Sequence, residues 1–149
     1  MAVKPIPEGY HSITPYLVAK NARGALDFYK KAFDAQERFC MEHDGKVGHC
    51  EFQIGDSVIM MADEYPNMDA VAPTGTGRYS TLLMYVTDVD AVFRKAVELG
   101  AKIVREPKNE FYGDRMATVV DPWGHRWHLA THVEDVSPEE LERRSKDHK

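Results

Sequence analysis

What most constrains this chain is a repeated order of elements. Residues 11–19 (HSITPYLVA) alternate as a strand does, with Pro15 pointing to an edge position. Asn21 can cap a helix over 22–33, where Ala22, Ala25, Leu26, Tyr29 and Phe33 fall at helical spacing. Three strands follow, over 36–43, 47–54 and 57–63, separated by Asp44-Gly45 and Gly55-Asp56 turns. After a Pro-, Gly- and Thr-rich linker at 64–79, the order recurs. Residues 80–86 read as a strand. Asp88 caps a helix carrying Val89, Val92, Phe93, Ala96 and Leu99, closed by Gly100. Strands over 102–106, 115–120 and 126–133 complete it. The halves superpose at an offset of roughly 66 residues: Ala25-Leu26 falls on Ala91-Val92, and Phe33-Asp34-Ala35 on Leu99-Gly100-Ala101. The expected fold is α+β, with one βαβββ module over 10–65 and another over 78–133. A capped tail, Ser137-Pro138-Glu139-Glu140, starts a short polar helix in 134–149 that is either solvated or laid across a partner.

The closing stretch, DPWGHRWHLATH from Asp121 to His132, suggests where binding occurs. Asp121-Pro122-Trp123-Gly124 is a turn. Beyond it, Trp127, Leu129 and Thr131 point one way, and Arg126, His128, Ala130 and His132 the other. The first face reads as core and the second as the wall of a binding site. In the same way, Cys50, Phe52 and Ile54 should pack on helices, leaving His49, Glu51 and Gln53 on the opposite face.

Composition narrows the function classes. The net charge of −5 and a pI near 5.8 argue against nucleic acid or an anionic membrane as partner. The longest apolar runs are five residues, at 58–62 and 82–86, too short to span a bilayer. The N-terminus lacks the apolar stretch of a secretory signal. Cys40 and Cys50 are the only cysteines, which fits buried thiols in a reducing cytoplasm.

The LDFYKKAF helix end, the GHCEFQIGD hairpin, the FYGDR stretch and the closing DPWGHRWHL together resemble the vicinal oxygen chelate superfamily, over about residues 10 to 133. FYGDR and HRWHLATHVEDVSPEEL look most like its PhnB-like branch. The superfamily holds glyoxalase I, extradiol dioxygenases, fosfomycin-modifying enzymes and bleomycin-resistance proteins. The resemblance implies curled mixed sheets enclosing a cleft, and metal ligands at Thr14, Met60, Thr81 and His128. Only His128 is of the usual His or Glu type. Thioether and neutral hydroxyl donors suit the family's divalent metals poorly.

The expected site is therefore polar and aromatic: Tyr16, His49, Glu51, Tyr85, Tyr112, Arg115 and His128, suited to a small carboxylate, phenol or phosphonate-like ligand. The offset of 66 sets Arg115 opposite His49. His49 and Glu51 are the candidate acid–base pair, and with His128 the only candidates for a makeshift metal site. No cofactor is expected, although a divalent metal remains an alternative. Phe111-Tyr112-Gly113 reads either as a lid or as a loop pinned by its own aromatics, and the stretch 73–78 as a second gate or a plain crossing. Two readings follow: a small-molecule binding protein of bleomycin-resistance type without metal, or a glyoxalase-like lyase, isomerase or dioxygenase. A homodimer is expected, because open sheet edges need cover.

Overall fold

The computed structural model describes residues 3–75 and 80–147. The end of the linker and His148 lie outside them. The contacts divide the chain into two units, Met1–Gly77 and Arg78–Lys149. Each is an α+β module with an open four-stranded mixed sheet and a helix on one face.

In the first unit the order is β1 (Tyr16–Ala19), α1 (Ala22–Phe33), β2 (Gln36–His43), β3 (Lys46–Ile54) and β4 (Ser57–Asp63). The sheet order is β1-β4-β3-β2, with β1 parallel to β4 and the other pairs antiparallel. β1 is an edge strand and shorter than expected. Pro15 has no N–H to offer a ladder, and pairing begins at its carbonyl, which accepts from Met60 N at 3.0 Å. The Asp44-Gly45 turn has positive φ at both residues, 52° and 75°, as a two-residue hairpin loop requires. Leu26, Tyr29 and Phe33 of α1 are buried with Cys50, Phe52 and Met61 of the sheet. The Tyr29 ring stacks on Phe52 at 5.4 Å. Cys40 and Cys50 are free thiols facing each other across β2 and β3, and burial pushes the Cys50 thiol up to about 12.

The second unit repeats the plan with β5 (Leu82–Tyr85), α2 (Val89–Glu98), β6 (Lys102–Asn109), β7 (Asp114–Val120) and β8 (Arg126–His132), followed by α3 (Pro138–Asp147). The sheet order is β5-β8-β7-β6. β6 runs past the expected end at Glu106. Pro107 is tolerated because β6 is an edge strand whose register breaks between Arg105 and Lys108. Ala117, Val119, Trp127 and Leu129 make the helix-facing core. The DPWG turn is organised by Asp121, which is only 2% exposed. Its Oδ1 accepts from the backbone N–H groups of Trp123 and His125, both at 3.0 Å, and its Oδ2 from Trp127 Nε1 at 2.9 Å.

At the helix caps the modules register at 67 residues rather than 66. The capping residues are Asn21 and Asp88, whose side chains accept from Gly24 N and Ala91 N. The first helical N–H groups, of Ala22 and Val89, each donate to a side chain on the last strand of their sheet, Asp63 and Thr131. A one-residue error in register moves a side chain to the other face of a sheet. The chain makes that correction at Arg115, below.

The tail is held by its own unit. Ser137 Oγ accepts from Glu140 N at 3.2 Å, which is one half of the expected capping box. The other half is missing, because the Glu140 carboxylate is taken by Arg143 and Arg144. Arg144 also donates to the Phe111 carbonyl at 3.1 Å and pairs with Glu134. The 110–113 loop is gripped from below as well, since the N–H groups of Val133 and Glu134 both donate to Gly113 O. Gly113 has φ +103°, and a Cβ there would overlap the Glu134 carbonyl oxygen. The FYG loop is thus strapped down by the tail. Among the described residues no helix is long and apolar enough to cross a membrane.

Candidate functional site

Each sheet has one face covered by its helix and one face without a helix, and the side chains with chemistry collect on the uncovered faces. On the first sheet, β3 alternates as expected as far as Phe52, whereas Ile54, expected in the core, is only half-buried. Cys50 and Phe52 are buried, and His49 and Glu51 stay partly exposed on the opposite side. The pair forms a hydrogen-bonded row. His49 Nε2 lies 2.9 Å from Glu51 Oε2, and Tyr16 Oη lies 3.3 Å from His49 Nδ1. Tyr10 donates to Glu51 Oε1. No sequence signal linked Tyr10 to Glu51.

The electrostatics of the row follow from these bonds. The Tyr10 hydroxyl and the His49 ring hold the Glu51 carboxyl below its ordinary value, Tyr10 first. An ionised Glu51 accepts from both partners, so His49 Nε2–H donates to it, and the Nδ1 lone pair accepts from Tyr16. The Tyr16 phenol is raised, chiefly by burial. The residue is nonetheless 52% exposed, so the row ends at solvent. Phe39 and Met41 on β2 share this face, exposed beside their register partners Glu51 and His49. The result is a polar row flanked by apolar surface.

On the second sheet, Leu83, Thr118 and His128 stand in one row, as the register pairs Leu83↔His128 and Thr118↔His128 require. Thr118 Oγ1 and His128 Nδ1 share a hydrogen bond of 2.7 Å. Burial first, then Arg126 and Arg105, lower the pKa of His128, so the neutral imidazole is favoured. Tyr85 lies on the same face, and its hydroxyl donates to Asp114 Oδ2 at 2.8 Å. The other oxygen of Asp114 meets His132 Nδ1 at 2.8 Å, and His132 Nε2 meets Asp135 at 2.8 Å. Hydrogen bonds to Asp114 and then Asp135 raise the pKa of His132. Alternation set His132 on the same face as His128 but gave it no partner. The Tyr85–Asp114–His132 cluster depends on β8 pairing with β5 on one side and β7 on the other, which is a long-range fact. Tyr112 sits in the strapped loop, its hydroxyl 3.7 Å from Met116 Sδ and its ring edge-on to Phe111 at 5.3 Å.

Arg115 is not where the offset of 66 sets it. It alternates with Ala117 and Val119, both fully buried on the helix-facing side. Its guanidinium grips Asp90 of α2 in a fork, Nε to Oδ2 at 2.8 Å and Nη2 to Oδ1 at 3.0 Å. At an offset of 67, Met116 takes the place given to Arg115. The positive charge on the uncovered face comes from Arg126 and Arg105 instead. Arg126 was visible there from alternation alone. Arg105 was not, because a register shift between Ile103 and Arg105 breaks the alternation of β6.

Comparison with known proteins identifies the fold. Residues 9–129 match the family model described as the glyoxalase/bleomycin resistance protein/dioxygenase superfamily. The chain belongs to that superfamily. An uncharacterized protein of Mycobacterium bovis is 38% identical over 136 residues, covering 88% of this chain and 90% of that one. Among solved structures of the superfamily's fold, TioX from Micromonospora sp. ML1 superposes with TM-score 0.66 at 22% identity, over 83% of this chain and 99% of that one. A PhnB protein from Bacillus cereus does so with TM-score 0.66 at 21% identity, over 81% and 99%.

Members of the superfamily often hold a divalent metal, and the donors here do not fit one. The positions implied for ligands carry two threonine hydroxyls, a methionine thioether and one imidazole. Of that imidazole, Nδ1 is engaged by Thr118, and two guanidinium groups stand near it. A cation gains nothing from such neighbours. Among the described residues no group of three or more His, Cys, Asp or Glu side chains could hold a metal ion.

Proposed function

We propose that this superfamily member binds a small polar or aromatic metabolite without the divalent metal usual among its relatives, and offers it the Tyr16–His49–Glu51 row. The observation that carries this reading is the saturation of the row. Both oxygens of Glu51 and both nitrogens of His49 are bonded within the protein. A metal at this pair would have to break those bonds, whereas a ligand need only meet the exposed Tyr16 hydroxyl and the apolar surface around Phe39 and Met41. An aromatic guest with a phenol or carbonyl group suits that mixture.

The test is direct. Protein purified without added metal is expected to hold far less than one transition metal per chain. A thermal-shift screen should find phenols or aromatic carbonyls that raise the melting temperature by mass action, with Zn, Ni, Mn and Fe giving no comparable rise. Stoichiometric metal lost with His128→Ala would restore the usual metal-enzyme reading. Metal lost with His49→Ala as well would point to a makeshift site.

The order Glu51, His49, Tyr16 also favours a second reading, in which the row moves a proton. An ionised carboxylate orients the imidazole, and the imidazole accepts from a solvent-facing phenol. This suits a lyase or isomerase working beside a carbonyl. Tyr16→Phe separates the two readings: binding alone tolerates it in part, whereas turnover through the row falls by about 100-fold or more. We also propose a homodimer, as the exposed apolar side chains on both sheets favour. Sedimentation at micromolar concentration checks it, and a monomer there refutes it.

A further inference from the structure

We infer that the uncovered face of the second sheet carries an oxyanion subsite, built from Arg105, Arg126 and His128, for a ligand bearing a carboxylate or phosphonate group. This goes beyond the Tyr16–His49–Glu51 reading and stands on the second unit alone. Strand register brings the groups together. Arg105 of β6 pairs with Thr118 of β7, and Thr118 pairs with His128 of β8, so the three share one face. Arg126 lies two residues before His128 on the same side of β8.

Arg126 Nε is buried and has no hydrogen-bond partner. A buried guanidinium N–H without an acceptor is costly, and an oxyanion is the acceptor that removes the cost. Among the described residues Arg23, Arg115, Arg143 and Arg144 are matched to carboxylates, whereas Arg105 and Arg126, like Arg38 and Arg94 elsewhere, form no ion pair. In a chain of net charge −5, two unmatched arginines on one face are a deliberate concentration of positive charge.

His128 completes the subsite. Thr118, fully buried, fixes the ring through Nδ1. With the hydroxyl donating to Nδ1, the proton sits on Nε2, which then donates outward from the sheet. The chemistry selects an anion with two or three oxygens, held in a guanidinium fork and by one imidazole N–H.

The experiment titrates the full-length protein with phenylphosphonate, benzoate and benzyl alcohol by calorimetry. The first two are tetrahedral and planar oxyanions, and the third is a neutral analogue. Binding of at least one anion is expected, about ten-fold or more tighter than benzyl alcohol. Arg105→Gln and Arg126→Lys should each weaken that anion by about ten-fold or more and leave benzyl alcohol unchanged. Arg105 is exposed, so its variant keeps the test valid if Arg126→Lys folds poorly. The preferred anion tells phosphonate from carboxylate. No anion binding, equal binding of the neutral analogue, or native affinity in Arg105→Gln would overturn the subsite. None of these outcomes touches the first unit, where neutral phenols report on Tyr16 and His49 separately.

Discussion

Asp121→Ala is expected to destabilise the protein by about 3–5 kcal/mol. One carboxylate satisfies three donors: Trp123 N, His125 N and the buried Trp127 indole N–H. A hydrogen bond to a charged acceptor contributes roughly 1.5–3 kcal/mol, and a buried donor left without an acceptor carries its full desolvation cost. Alanine removes all three bonds and orphans the indole, which belongs to a side chain only 2% exposed. Asp56→Ala is the control, since Asp56 is exposed in the β3–β4 turn and should change stability by under about 0.5 kcal/mol. Urea unfolding followed by tryptophan fluorescence measures both. A loss below about 1 kcal/mol for Asp121→Ala would mean that the DPWG turn does not anchor β8.

The second large effect is expected on β3. Phe52→Ala should cost about 3–5 kcal/mol, because the ring is fully buried and its removal leaves a cavity against Tyr29. His49→Ala should cost about 1 kcal/mol or less. Its side chain is partly exposed and leaves no closed cavity, and Tyr16 and Glu51 can turn to water. The two positions are three residues apart on one strand, so parity alone separates them. Circular dichroism through a urea gradient on both variants reads the difference. If His49→Ala proved the costlier, β3 would be paired one residue out of register, and the Tyr16–His49–Glu51 row would not face outward.

These two residues also show what could be read in advance. Asp121, with Pro122 and Gly124 after it, marked the turn, because those residue types carry backbone geometry locally. Phe52 and His49 were assigned to opposite faces, because a period of two is enough to do that. Helix α1 was legible to the residue, since Asn21 supplies a local acceptor and Leu26, Tyr29 and Phe33 supply the stripe. Element order followed in the same way, and so did the two-module α+β fold.

What escaped the sequence was whatever depends on partners distant in the chain. The Tyr10 hydroxyl on Glu51 and the Tyr85–Asp114–His132 cluster join residues dozens of positions apart, which no periodicity encodes. The tail read as solvated or laid across a partner, but Arg144 finds the Phe111 carbonyl only once β7 and β8 are paired. Arg115 is the sharpest case. Offsets of 66 and 67 differ by one residue, yet the pleat makes them opposites, and only the Asp90 fork on α2 settles which face Arg115 occupies. Alternation within β8 had already set Arg126 beside His128. It took the folded sheet, with Thr118 pairing both ways and a register shift between Ile103 and Arg105 in the edge strand, to bring Arg105 to them and leave Arg126 Nε buried without an acceptor. Local chemistry determined the strands, helices and turns, whereas the tertiary structure decided which charges are spent holding the fold and which stay available to a ligand.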